Sequence, residues 1–289
     1  KFTRQIQYMV QRGQDVQLHI HSHWFYSKWE NGTWKFSSKG YRIHEFGFGS
    51  EGAGRIIEEG VKYLKHSLQS VKSDYECIAY RAGGFSFQPH QKLVVELYRN
   101  GIRIDSSIAP ELFSDSETNR YDYRKKVKKI NWHISSDLEW WEDSENEMTL
   151  LEIPIATINK SVPVFLAKRL FMPNSIKLCL AKPRGTYIKN QTFKENKMKA
   201  IIRYVLGFNA ISLDAYSADY LYDQVKRFYK KIIYKNDNKT DYIVALIGHP
   251  KLIDDRYISN LIKFIELIKY DTRFSFISIN EAYRMIRKS

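Results

Sequence analysis

The stretch Cys77-Ile-Ala-Tyr-Arg-Ala-Gly-Gly-Phe-Ser-Phe-Gln-Pro89, continued by His90-Gln-Lys-Leu-Val-Val-Glu-Leu-Tyr-Arg-Asn-Gly-Ile-Arg-Ile-Asp105, decides the fold class. Residues 77–80 form a short apolar run, closed by a Gly-Gly turn. Pro89 stands where a helix can open, because the N–H it lacks has no partner in a first turn anyway. Leu93, Val94 and Leu97 follow at helical spacing, Asn100-Gly101 is a stop signal, and residues 102–104 are apolar again. Strand, helix and strand in close succession predict parallel strands joined by a crossover helix.

The same alternation runs outward in both directions. Upstream, residues 16–20 alternate as a strand, and residues 54–71 carry Ile57, Val61, Leu64 and Leu68 on one helical face. Downstream, strands are expected at 150–155, 210–213, 243–247 and 274–277, with helices at 218–234, 254–268 and 280–286. Residues 114–147 are polar and Trp-bearing and read as a loop excursion, and residues 160–208 as a mainly helical segment. The expectation is a single α/β domain over residues 1–289, with enough strand–helix units for a (β/α) barrel or a distorted one.

Hydrophobic residues make up 43% of the 289, with 20 Tyr, 16 Phe and 6 Trp, which excludes a disordered chain. The net charge of +14 admits nucleic acid, an anionic membrane surface or lipid phosphate, or merely a lysine-rich protein. The basic residues are spread along the chain, with short runs at 124–129 and 226–231 and no nucleic-acid module, so nucleic acid is not the expected partner. No apolar run approaches the ~20 residues of a membrane span, so a transmembrane segment is not expected. Cys77 and Cys179 make neither a disulfide framework nor a CxxC pair. The expected location is the cytoplasm or a membrane surface.

Reactive residue types recur just after the strand candidates: His21 and His23, then Arg81, then Asp105, then Asp214, then His249. In (β/α) folds the carboxyl ends of the strands build the site, so these residues are expected on one rim. The strongest local signal is Val16-Gln-Leu-His-Ile-His-Ser-His-Trp24, with three histidines in five residues. Neutral imidazole suits zinc-like ions. In an extended strand His19 and His23 would stand about 13 Å apart, too far for one ion. Either the chain bends at His21 and pairs His19 with His23, or it stays extended and an HxH pair binds.

These motifs resemble those of polysaccharide deacetylases of the NodB-homology type (carbohydrate esterase family 4), in a divergent bacterial branch associated with surface polysaccharides. The stretch from His19 to His23 is similar in spacing to the family's two-histidine metal motif, although Ile20 replaces its usual hydroxyl residue. Tyr80-Arg-Ala-Gly-Gly-Phe-Ser-Phe-Gln-Pro89 resembles the family's arginine motif, the stretch from Gly101 to Pro110 a recurrent family segment, and Ala245-Leu-Ile-Gly-His-Pro250 its late histidine motif.

The resemblance implies a distorted (β/α) barrel with zinc or a similar divalent metal on His19 and His23. It implies Arg81 holding a catalytic aspartate and His249 as the general acid, with Asp105 orienting a neighbour or capping a turn. His21, Trp24, Asp214, Trp140 and Trp141 become candidates for the substrate, with Trp29 and Trp34 beside them. The implied reaction is hydrolysis of the acetyl amide of an N-acetylated oligo- or polysaccharide, free or lipid-linked. The metal polarises the carbonyl and activates water, an aspartate takes its proton, and a histidine protonates the leaving amine. The family's first motif, an Asp-rich strand, has no counterpart, since residues 1–18 hold one acid, Asp15. The resemblance therefore implies a chain cut ahead of Lys1, or a naturally truncated, inactive relative. The rivals are a glycan-binding or scaffold domain without the chemistry, and a basic protein that docks on anionic lipid.

Overall fold

The computed structural model describes residues 1–37, 39–116, 118–124, 131–136, 148–159, 208–214, 217–233, 241–249 and 253–287. The described chain divides into two compact units, one of Lys1–Pro154 with Tyr242–Val244 and Ile277–Ser289, the other of Ile155–Asp241 with Ala245–Phe276.

The first unit runs α1 (Phe2–Gln11), β1 (Leu18–Ile20), β2 (Lys28–Glu30), β3 (Thr33–Lys35), α2 (Ala53–Leu68), β4 (Ala79–Ala82), α3 (Gln91–Arg99) and β5 (Ile104–Asp105). It continues through β6 (Phe113–Asp115), β7 (Arg120–Asp122), β8 (Trp132–Ser135) and β9 (Thr149–Glu152). Its central sheet has the order β1-β4-β5-β9-β8, parallel throughout except for β8, which lies antiparallel to β9. The α/β class and the parallel sheet are therefore as expected. Among the described residues the strands end at β1 and β8 and do not close into a barrel.

The two decisive helices bury the faces that their spacing predicts. Ile57, Val61, Leu64 and Leu68 of α2 are buried, and Leu93, Val94 and Leu97 of α3 are completely enclosed. Each such side chain stabilises the fold by roughly 1.5–3 kcal/mol relative to exposure. The helix α1 was not anticipated. It presents only Ile6 and Val10 to the core, and Gln7 Nε2 anchors it by donating to the Ser67 carbonyl at 2.9 Å.

Gly54 lets the first turn of α2 approach the Glu96 carboxylate, whose Oε1 accepts from Gly49 N at 2.9 Å. A Cβ there would collide with Glu96 Oε2 and stand 2.7 Å from the Gly49 carbonyl oxygen. Gly54→Ala is expected to destabilise this unit by about 1–3 kcal/mol, as forced overpacking does. An unchanged thermal midpoint would show that α2 and α3 separate freely.

The sheet's other face carries a smaller core of Ile78, Ala79, Ile104, Leu151 and Ile153, covered by α6 (Ile279–Ile286) through Ala282. Ser278 and Glu281 close the start of this helix as a capping box. Asp15 Oδ2 accepts from both Asn280 N and Asn280 Nδ2 at 2.9 Å, tying the helix to the segment ahead of β1. This sole early acid is thus a structural clamp.

The expected excursion holds more regular structure than a loop. It contains most of the β6–β7 hairpin and β8, the antiparallel edge of the central sheet. Trp140 and Trp141 lie outside the described residues, as does the expected helical segment up to residue 207.

The second unit contains β10 (Thr157–Asn159) and β11 (Phe208–Ala210), paired antiparallel, with α4 (Ala218–Ile233) and α5 (Asp255–Lys269). The strand expected at 243–247 is reduced to single parallel bridges, Ala245 to Ile155 and Ile247 to Ser212. Tyr222 Oη donates to Asp271 Oδ2 at 2.7 Å, linking α4 to the turn after α5. The strand expected at 274–277 does not form; these residues are irregular, with Phe276 57% exposed. Apolar alternation gives a segment the capacity for a strand, but only a pairing partner makes one. No helix among the described residues is long and apolar enough to cross a membrane.

Candidate functional site

Parallel pairing sets His19 opposite Arg81 and puts Tyr80, Asp105 and Glu152 in one row across β4, β5 and β9. Paired residues share a face and successive residues alternate, so His19 and Arg81 belong to one face and the Tyr80–Asp105–Glu152 row to the other. The sequence thus brings two of its expected site residues together across neighbouring strands.

His19 Nδ1 lies 2.9 Å from the Arg81 carbonyl oxygen. A carbonyl only accepts, so Nδ1 carries the hydrogen and the neutral ring keeps its lone pair on Nε2. That is the tautomer a metal-binding imidazole needs, with its second nitrogen fixed by a backbone carbonyl. The strand stops at Ile20, and Ser22–Tyr26 turns as a short 3-10 helix, so the chain does bend at His21. The His21 ring stands edge-on to both neighbours, 4.6 Å from His19 and 5.5 Å from His23 between centroids. His23 stacks on Tyr41 at 4.6 Å. Imidazole is the donor type that zinc-like ions take. Among the described residues, however, no group of three or more His, Cys, Asp or Glu side chains is arranged to share one.

Arg81 and Asp105 both engage the serines that follow β5. Arg81 donates from Nε to the Ser106 carbonyl at 2.9 Å and from Nη2 to Ser106 Oγ at 3.0 Å. Asp105 is completely enclosed; its carboxylate accepts from Ser107 N at 3.0 Å and Ser107 Oγ at 2.6 Å. These bonds close a turn after β5, one of the two roles expected of Asp105.

Glu152, which the sequence reading passed over, is equally enclosed and neighbours Asp105. Glu152 Oε1 accepts from Ile108 N at 3.1 Å and its carboxyl is hydrogen-bonded with that of Asp105, while among the described residues Tyr80 Oη and Trp132 Nε1 in the same row have no hydrogen-bond partner. Burial pushes the Asp105 carboxyl up to about 6, against the hydrogen bonds and the Arg81 guanidinium that pull it down. Burial, and then the Asp105 charge beside it, push Glu152 well above the carboxylate range. The signal was present in Leu150-Leu-Glu152, an acid ending an apolar strand.

In the second unit His249 meets Asp214, a pairing the sequence alone did not anticipate. Asp214 Oδ1 accepts from His249 N at 2.7 Å, and Oδ2 pairs with His249 Nδ1 at 2.5 Å. Ser212 Oγ donates to the same Oδ2 at 3.0 Å. The Asp214 side chain is 8% exposed and that of His249 50%, so a buried carboxylate holds an open imidazole. With Nδ1–H directed to Asp214, Nε2 is the atom available for proton transfer. Gly248 permits the fit, because a Cβ there would stand 2.8 Å from Tyr257 Oη.

Trp24, Trp29 and Trp34 are exposed. A groove of about 460 Å³ in the first unit is lined by Arg42, His90, Phe113, Arg120 and Tyr121, among others. Gln88 and Pro89, which end the arginine-containing stretch, line it too, but none of the expected site residues does.

In comparisons with known proteins, no family model matches the chain and no curated protein does.

Proposed function

We propose that this chain is a metal-dependent hydrolase that removes acetyl groups from N-acetylated sugars of a surface or cell-wall polysaccharide. The observation that carries the proposal is the tautomer of His19, with Nδ1 held by the Arg81 carbonyl as in a metal-binding imidazole. His19 and His23 are the ligands on this reading. The chemistry supplied by a bound divalent ion, zinc first, is polarisation of the acetyl carbonyl and activation of water. Arg81 fixes His19 through its backbone oxygen and the edge of β5 through its guanidinium. His249, oriented by Asp214, delivers a proton to the departing amine. The accompanying fold reading is a distorted (β/α) barrel, which the parallel order β1-β4-β5-β9 supports.

One observation favours a second reading, a glycan-binding domain without the chemistry: the described residues supply no third metal donor. Metal content and acetate release separate the two. The hydrolase reading expects near-stoichiometric zinc and release of acetate from N-acetylhexosamine oligomers. His19→Ala is expected to weaken zinc binding at least about 10–100-fold, as loss of a ligand or its support does. Retention of zinc by that variant, or oligomer binding without acetate release, would overturn the hydrolase.

A further inference from the structure

We propose that the β2–β3 ribbon, together with residues 24–26, is a docking surface for an anionic lipid bilayer. This inference does not rest on the hydrolase reading. Every residue of β2 and β3 is exposed, so the ribbon stands clear of the core on both faces. Asn31 and Gly32, at φ 50° and 73°, make the tight turn that a two-residue hairpin requires. Trp29 and Trp34 lie directly opposite each other, with centroids 5.4 Å apart, and Trp24 meets Trp34 edge-on at 5.2 Å. Trp29 is 61% exposed, Phe25 58% and Trp24 48%. A two-stranded ribbon is marginal by itself, and a contiguous exposed aromatic patch marks an interaction surface.

Charge chooses the occupant. On the ribbon's other face Lys28 and Lys35 are also directly opposite each other, a repulsive cross-strand pair that an anion relieves. Lys39 and Arg42 follow, while the nearby acids are Glu30 and Glu45, the latter paired with Arg42. With the chain at +14, this arrangement suits anionic headgroups. Tryptophan favours the headgroup–acyl boundary, and flanking lysine stems reach up to the phosphates. The ring geometry disfavours a polysaccharide platform. The Trp24 and Trp34 planes cross at 85° and those of Trp29 and Trp34 at 69°, so no continuous flat face is offered. A neutral N-acetylated sugar would also leave the lysine pair unanswered.

The test is co-sedimentation of the full chain with phosphatidylserine-containing vesicles and with pure phosphatidylcholine vesicles. Binding is expected to be about tenfold stronger to the anionic vesicles, and part of it survives about 0.5 M salt, because aromatic insertion is not screened. Trp29→Ala with Trp34→Ala, and separately Lys28→Glu with Lys35→Glu, are each expected to lower the partition coefficient at least about tenfold. Quenching of the unaltered protein's tryptophan fluorescence by bromolipids reports insertion without any substitution. The proposal is overturned by absence of binding to anionic vesicles, by a folded double variant that binds like the parent, or by absence of quenching. It is also overturned if soluble N-acetylhexosamine oligomers displace the vesicles and the tryptophan variant loses the oligomers alone.

Discussion

Replacing His249 with alanine is expected to lower the turnover of acetate release by about 10²–10⁴-fold, the usual contribution of a positioned general acid. The effect falls on kcat and not on KM, because the proton moves in the transition state and not in the bound ground state. Asp214→Asn should reproduce much of the loss for a different reason. An amide facing Nδ1 can donate instead of accepting, and the ring then presents the wrong tautomer at Nε2. Ser212 and the His249 backbone N–H already engage Asp214, so the pair's turn is expected to survive the histidine substitution. His249→Ala should therefore leave the thermal midpoint nearly unchanged, as substitutions at half-exposed positions usually do. A variant with full turnover would remove His249 from the reaction. A fall in KM-controlled binding alone would make it a substrate contact.

The second large effect is on stability, at the buried carboxyls. Both Asp105 and Glu152 are raised in the folded protein, Asp105 from 3.8 to about 6 and Glu152 well above 4.5. A carboxyl with a raised folded-state value contributes stability that is complete below its unfolded value and is lost as pH rises through its folded value. This pair therefore makes the first unit less stable as pH climbs from about 4 through 6 and beyond. Glu152→Gln keeps the shape, removes one ionisation and offers Asp105 an amide donor. At pH 8 it is expected to stabilise the fold relative to the parent, because the buried ionisation is gone. At pH 5 the gain should shrink towards zero. Glu152→Ala, which leaves a cavity, should instead destabilise by about 2–4 kcal/mol at either pH. Denaturant titrations of the three proteins at both pH values read this directly, and a Gln variant weaker than the parent at pH 8 rejects the assignment.

Local periodicity made the first-unit helices α2 and α3 and the parallel strands they connect legible, because each buries a face that its own residues define. Ile57, Val61, Leu64 and Leu68 are four such positions, all buried. The helix α1 escaped notice because only Ile6 and Val10 are buried in a mostly polar segment. The segment at 274–277 failed in the opposite sense: it has the alternation of a strand but pairs with none.

By itself the sequence determined the α/β class, the crossover helices, the histidine cluster after β1 and the aromatic supply. These depend on spacing within a few residues and on backbone preferences that travel with the chain. Only the tertiary structure decided that Asp214 belongs to His249, that Arg81 serves Ser106 and the His19 tautomer, and that Asp105 is sealed beside Glu152. Hydrogen bonds and desolvation act through space, across separations such as the 35 residues between Asp214 and His249, and no local pattern encodes which polar group will meet which.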